Sequence, residues 1–224
     1  MALLRVTCAV VCLVCFSTLV TAAPIKRAGK SPPPSPEAMH EEMAQIRGDA
    51  ERLRTAVERG RKDAAVCRHC HGIGGNSVMP DVPNLASQNA AYLLEQMNKF
   101  VLGQRKSSAF MEGMIKALTP EERINIALFL SQQPVTPKPS ETSGQTTAGH
   151  KLYVSVCVSC HGPRGTGDSR IPRLAGQQPQ YVEDSLKRYR SGGERVDMRM
   201  AAFTRNLSDT DIQHLAAYLS ALRP

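Results

Sequence analysis

A chain of 224 residues is long enough for two small domains, yet it has no Trp and only 4% aromatic residues, too little for two ordinary cores. The formal net charge of +8 gives a basic surface, with eleven Lys/Arg against seven Asp/Glu in residues 145–224. No motif interleaves basic and aromatic residues, which argues against nucleic acid as a partner.

The N-terminus carries one positive residue, Arg5, runs apolar from Val6 to Val20, and closes on Val20-Thr21-Ala22, a small-residue cleavage pattern. Residues 1–22 therefore read as a secretory signal, which makes the mature chain periplasmic. The alternative is an uncleaved anchor, because the apolar run approaches the ~20 residues that span a bilayer. Its short apolar region and cleavage pattern favour removal. Three of the seven cysteines (Cys8, Cys12 and Cys15) lie in this segment.

Residues 23–57 form a separate N-terminal segment. A Pro-rich stretch, Ser31-Pro32-Pro33-Pro34-Ser35-Pro36, precedes a charged helix expected at 37–59. Met39, Met43, Ile46, Ala50, Leu53 and Val57 are spaced 4, 3, 4, 3, 4, the a/d seam of a heptad pattern. Fewer than three heptads is short for an independent coiled coil, so the helix is expected to pack on the domain that follows it. Self-association or partner docking through 37–59 is the alternative. Gly48, inside the seam, weakens both.

The next segment holds Cys67-Arg68-His69-Cys70-His71, and ninety residues later comes Cys157-Val158-Ser159-Cys160-His161. C-x-x-C-H is the attachment pattern of c-type haem: two thiols add across the vinyl groups, and the adjacent His gives iron one axial nitrogen. All four cysteines that survive signal removal lie in these motifs, so none is left for a disulfide. Two C-x-x-C pairs could also hold zinc, but ribbon sites space their pairs by ~15–20 residues, and here the gap is far wider. The expected cofactors are two covalently bound haem c groups, Cys67, Cys70, Cys157 and Cys160 supplying the thioethers. Two buried porphyrins would also provide the apolar area that the aromatic-poor chain lacks.

The motifs belong to an internal repeat. Pro83-Asn84-Leu85-Ala86-Ser87-Gln88 matches Pro172-Arg173-Leu174-Ala175-Gly176-Gln177, and Tyr92, Lys99, Phe100 and Gly103 match Tyr181, Arg188, Tyr189 and Gly192. The repeat divides the chain into a first domain at 58–133, a Pro/Ser/Thr-rich linker at 134–145 and a second domain at 146–224. Each half is expected to be helical. One helix leads into the haem motif (60–70 and 147–160) and a middle helix follows (near 88–102 and 177–190). Terminal helices are capped by Thr119 and Ser208. Glycines after each motif suit a loop passing close to a porphyrin.

The sixth iron ligand must come from elsewhere in each half. Thioether sulfur is soft and favours Fe(II). Met111 and Met200 each lie seven residues before the matched Leu118 and Leu207, and 40 and 39 residues after their haem His. Met114 and Met198 are competitors that do not align with one another. His40, His150 and His214 occupy no equivalent pair of positions, which argues against bis-histidine ligation.

On the two C-x-x-C-H-Gly motifs, the Pro-x-Leu-Ala-x-Gln segments and the Met-then-terminal-helix pattern, residues 58–224 resemble the two-haem cytochrome c4 family of class I c-type cytochromes. The resemblance implies an all-α fold of two tandem cytochrome c-like domains and axial pairs His71 with Met111 and His161 with Met200. It also implies that the carbonyls of Pro83 and Pro172 hold the haem histidines. Members of the family carry electrons between redox-protein partners, toward a membrane-bound terminal oxidase or a similar acceptor. With both axial positions filled, such a chain is an electron carrier and not an enzyme. Two other readings remain: an electron-accepting subunit of a dehydrogenase complex, and a dihaem enzyme such as a peroxidase or a thiosulfate-oxidising dehydrogenase. A Cys-ligated thiosulfate enzyme would need a fifth mature cysteine, which this chain lacks.

Overall fold

A computed structural model describes residues 32–136, 143–192 and 197–223. The signal expected at 1–22 and the linker positions 137–142 lie outside the described residues. Residues from Pro33 onward make one compact unit. Among the described residues the secondary structure is helical, without a strand, and no helix is long and apolar enough to cross a membrane.

The first half opens with α1 (Pro36–Gly48) and α2 (Ala50–Asp63). The haem-motif turn α3 (Arg68–His71) leads into a short 3₁₀ turn at Ile73–Gly75. Helices α4 (Ala90–Val101), α5 (Ala109–Ala117) and α6 (Pro120–Ser131) complete it. The second half repeats the order from α2 onward. Helix α7 (Ser143–Leu152) passes through a π-helical turn (Tyr153–Cys157) into α8 (Val158–His161), followed by α9 (Pro179–Arg190), α10 (Met198–Thr204) and α11 (Asp209–Ala221).

In each half the long helix that precedes the haem motif packs across the last one, α2 on α6 and α7 on α11, with the middle helix, α4 or α9, against the same terminal helix. Glycine makes both crossings possible. A Cβ at Gly60 would run into the Asn125 carbonyl and come 2.9 Å from Phe129 Cβ, while one at Gly149 would meet the His214 carbonyl and lie 2.6 Å from Tyr218 Cβ. Both terminal helices start with a full capping box: Thr119 with Glu122, and Ser208 with Asp211.

The N-terminal helix differs from the expected one. The seam over residues 37–59 does not form a single helix: Asp49 adopts φ −120°, ψ 114° and caps a new helix by accepting from the N–H groups of Glu51 and Arg52. A short acidic side chain after Gly48 satisfies two otherwise orphaned donors, and that local bond outcompetes continuation of α1. The helix expected at 60–70 likewise ends at Asp63. Because α2 is the partner of α6, a domain boundary at 58 cuts through a helix of the first core.

The seam is occupied internally. Met39 and Met43 are buried in the first core, with Ile46, Leu53 and Val57 packed against it. The apolar face of 37–59 thus packs on the chain's own domain, as the first of the two expectations had it. The linker is also tied down at its start: Asn76 donates to Pro134 O (2.9 Å) and accepts from Thr136 N–H (2.8 Å). Its far end is shorter than expected, since α7 begins at Ser143.

Candidate functional site

A single cavity of about 1680 Å³ runs across both halves and is lined by both haem motifs. Ordinary ligand pockets hold ~300–1000 Å³, so this space suits more than one small molecule. Cys67, Cys70, His71 and Met111 line one part of it; Cys157, Cys160, His161 and Met200 line another. Each set shares its wall with apolar side chains, among them Leu93, Met97 and Leu130 in the first half and Val182, Leu186 and Leu215 in the second.

Each haem-motif His sits on a one-turn helix closed by a glycine of positive φ, Gly72 (76°) or Gly162 (75°). Both rings are buried. His71 Nδ1 lies 2.9 Å from Pro83 O and His161 Nδ1 3.0 Å from Pro172 O, so Nδ1 is the donor and Nε2 is the nitrogen left free. Burial pushes both imidazoles below their ordinary pKa, against the smaller opposing effect of the proline carbonyl. A neutral ring with Nε2 free is the state that can ligate a metal.

None of the four motif cysteines is paired in a disulfide, which leaves all four for thioether bonds. Burial raises the Cys67 thiol and takes Cys157 up to about 11. No zinc site is assembled: among the described residues no three His, Cys, Asp or Glu side chains converge on a common point.

The methionines separate by position. Met111 and Met200 each occupy the third residue of a short helix, held by the capping side chain three residues earlier. Ser108 Oγ accepts from Met111 N–H and Asp197 Oδ1 from Met200 N–H, both at 3.2 Å. Met198 is 75% exposed and does not line the cavity. Met114 does line it, but has no counterpart in the capping frame of α10.

Cations also reach the cavity. The Arg105 guanidinium lies 4.9 Å above the Phe100 ring and donates to Gln96 Oε1 (2.5 Å) and, across the halves, to the Tyr181 hydroxyl (3.2 Å). Lys99 and Arg188 stand at matched places on α4 and α9 and line the same space. Such side chains suit a group that is apolar in its body and carries carboxylates at its edge. Unbridged motif cysteines, buried histidines with Nε2 free, matched methionines and a large, mainly apolar cavity fit two covalently attached haems.

Comparison with known proteins agrees with this geometry. Residues 57–134 match the family model "Cytochrome c", and residues 144–219 match "Cytochrome C oxidase, cbb3-type, subunit III". Cytochrome c4 of Azotobacter vinelandii is 33% identical over 73% of this chain and 87% of its own length. The chain belongs to the cytochrome c4 family. Two covalently bound haem c groups are the cofactors of this cytochrome c4-type chain, and its architecture is two tandem cytochrome c domains. The crystal structure of reduced cytochrome c4 from Pseudomonas stutzeri superposes with a TM-score of 0.69 at 30% identity, covering 75% of this chain and 98% of that one. The thiosulfate dehydrogenase electron acceptor of Thiomonas intermedia is 30% identical over 71% of this chain and 79% of its length.

One group of residues has a role that the sequence did not disclose. Asn84, Gln88, Arg173 and Gln177 are all buried where the halves meet. Arg173 sends its guanidinium to the carbonyls of Ala86 (2.6 Å), Ser87 (3.1 Å) and Ala175. Burial lowers its pKa to about 10, which still leaves it charged at neutral pH. The signal was the glutamine that ends both Pro-x-Leu-Ala-x-Gln segments, identical in the two halves although its immediate neighbours differ, Ser87 and Asn89 against Gly176 and Gln178.

Proposed function

We propose that this chain is a periplasmic carrier of single electrons. Cys67, Cys70, Cys157 and Cys160 tether its haems, and His71 with Met111 and His161 with Met200 complete the axial positions. The observation that carries this reading is the matched pair of frames: in each half a buried His is fixed by a proline carbonyl and a cap-held Met lines the same cavity. Bound haem supplies one-electron chemistry at iron. The protein's part is to close the axial positions, keep water from the centre and hold ligand geometry in both redox states. The Pro83 and Pro172 carbonyls fix the imidazole tautomer and raise its basicity. With no open coordination position, the chain carries electrons and catalyses nothing.

The partners are other redox proteins, with a membrane-bound terminal oxidase as the acceptor. The likeness to a thiosulfate dehydrogenase electron acceptor favours a second reading, in which the electron donor is a dehydrogenase that holds this chain as its accepting subunit. Stoichiometric co-purification with a dehydrogenase would select the second reading, and a free monomer the first.

The test is spectroscopic. Ferric and ferrous spectra of the matured protein, with and without carbon monoxide, are expected to show two haems per chain, the weak far-red methionine-to-iron(III) band and no carbon monoxide uptake. Rapid carbon monoxide binding or absence of the far-red band would refute closed His/Met centres.

A further inference from the structure

The peptide group that holds each haem histidine is itself held by the other half. The Pro83–Asn84 peptide accepts at its carbonyl from His71 Nδ1 (2.9 Å), and its N–H donates to Gln177 Oε1 (2.7 Å). The Pro172–Arg173 peptide accepts from His161 Nδ1 (3.0 Å), and its N–H donates to Gln88 Oε1 (2.7 Å). Each glutamine then closes a second bond to the same residue: Gln177 Nε2 donates to Asn84 O and Gln88 Nε2 to Arg173 O, both at 3.0 Å. Both side chains are 4% exposed, so water does not compete for these bonds.

Two hydrogen bonds on opposite ends of one peptide are not independent. When the N–H is drawn into an acceptor, electron density shifts toward the carbonyl oxygen, which becomes a better acceptor for the imidazole N–H. A more strongly held N–H makes the imidazole a better donor to iron, and stronger donation favours the ferric state. We infer that Gln177 tunes the haem ligated by His71, and Gln88 the haem ligated by His161, each glutamine acting on the centre of the opposite domain. They are positioning residues, one covalent peptide removed from the ligand. This inference rests on the reading of His71 and His161 as axial ligands.

The side chains around the clamps preserve the same reciprocity with different chemistry. Asn84 Nδ2 donates to Gly176 O (2.7 Å), and at the equivalent place Arg173 Nε donates to Ser87 O (3.1 Å). Disturbing one clamp therefore leaves other bonds to keep the halves together, so one glutamine can be replaced without separating the domains.

The experiment uses the full chain with both haems attached, in the parent, Gln177→Met and Gln88→Met forms. Methionine keeps the volume and removes all three side-chain hydrogen bonds, the third being the one each Oε1 accepts from the next residue's N–H, Gln178 (2.8 Å) or Asn89 (3.0 Å). Paramagnetic NMR through a redox titration resolves the two haems. Gln177→Met is expected to raise the potential of the His71 haem and leave the His161 haem unchanged, and Gln88→Met to do the reverse. The change in the ferric-to-ferrous ratio at fixed potential should stay below about tenfold, the low end of what direct partners of a ligating His produce. In the ferrous, diamagnetic protein the ring N–H resonance of His71 should move upfield in Gln177→Met while that of His161 stays in place. A shift at the haem of the substituted residue's own domain, equal shifts at both, or no shift overturns the inference. Failure of the axial assignment itself would appear in the parent protein, as carbon monoxide uptake before any glutamine is replaced.

Discussion

Replacing Gly60 with alanine should destabilise the protein, although helix propensity alone predicts the opposite. In a helix interior alanine is favoured over glycine by ~0.8–1.0 kcal/mol. At Gly60 the new Cβ would collide with the Asn125 carbonyl oxygen and sit 2.9 Å from Phe129 Cβ. Neither atom is the end of a flexible side chain, so relief requires α2 and α6 to move apart. Overpacking of this kind costs ~1–3 kcal/mol, and a clash with main chain belongs in the upper part of that range. The net expectation is a loss of about 1–2 kcal/mol once the propensity gain is subtracted. For a chain of this size each kcal/mol moves the melting temperature by ~2–4 °C. Far-UV circular dichroism melts and urea titrations of the haem-loaded protein measure the effect. Gly113→Ala provides the control: Gly113 is exposed in mid-helix with nothing within 4 Å of a new Cβ, and there alanine should stabilise by up to about 1 kcal/mol. A Gly60→Ala protein as stable as its parent would refute the proposed helix crossing. Gly149→Ala should repeat the loss in the second half.

Arg173→Met strips donors from the carbonyls of Ala86, Ser87 and Ala175, and at ~1–3 kcal/mol for an unsatisfied buried group the expected loss is about 3 kcal/mol after partial rehydration. Urea unfolding measures it; a loss under half a kcal/mol would refute a structural role for the guanidinium, by comparison with the ~0.5–1.5 kcal/mol of one ordinary hydrogen bond. The start of α11 should be acid-sensitive: the Ser208 side chain holds Asp211 below the ordinary carboxylate range, and Arg190, 2.5 Å away, does the same for Asp209. With folded pKa values below the unfolded ~3.9, their stabilisation is complete above that value and is lost as pH falls through the folded ones. The Asp209→Asn, Asp211→Asn double variant should therefore show a flatter fall in melting temperature on acidification, and an unchanged slope would refute the linkage. Met200→Leu should weaken the far-red band and admit carbon monoxide at one haem, whereas Met198→Leu and Met114→Leu should leave both spectra unaltered.

What was legible in the sequence was local. The haem motifs bring thiols and imidazole together within five residues, and the capping boxes at Thr119 and Ser208 lie within four, so no fold is needed to read them. The repeat carried each assignment from one half to the other. The N-terminal helix failed because heptad spacing is blind to backbone breaks: the Met39-to-Val57 seam continues in register while Asp49 turns the chain into a second helix. The signal was present in Gly48-Asp49 followed by Ala50-Glu51, a breaker and a cap before an acidic first turn. Gly60 and Gly149 gave no such signal, since a helical glycine becomes informative only once another backbone is seen to press against it.

The glutamine clamps were illegible for a deeper reason, and the same reason explains the pattern of identities in the repeat. Two like halves that meet about a local two-fold place equivalent segments against each other, so that i touches j and j touches i. A residue whose partner is the backbone of the equivalent segment must then serve twice, and glutamine does so at 88 and 177. A neighbour whose contact can be made by more than one donor is free to differ. Asn84 and Arg173 differ in size and charge, yet their side chains reach the equivalent carbonyls of Gly176 and Ser87. The linker keeps the halves at high effective concentration, so the interface does not have to bind two free bodies. It can instead be polar, narrow and exact in its hydrogen bonding. That is the construction needed to fix two histidine-holding peptides against one another, and both peptides and both glutamines lie in the Pro-x-Leu-Ala-x-Gln segments.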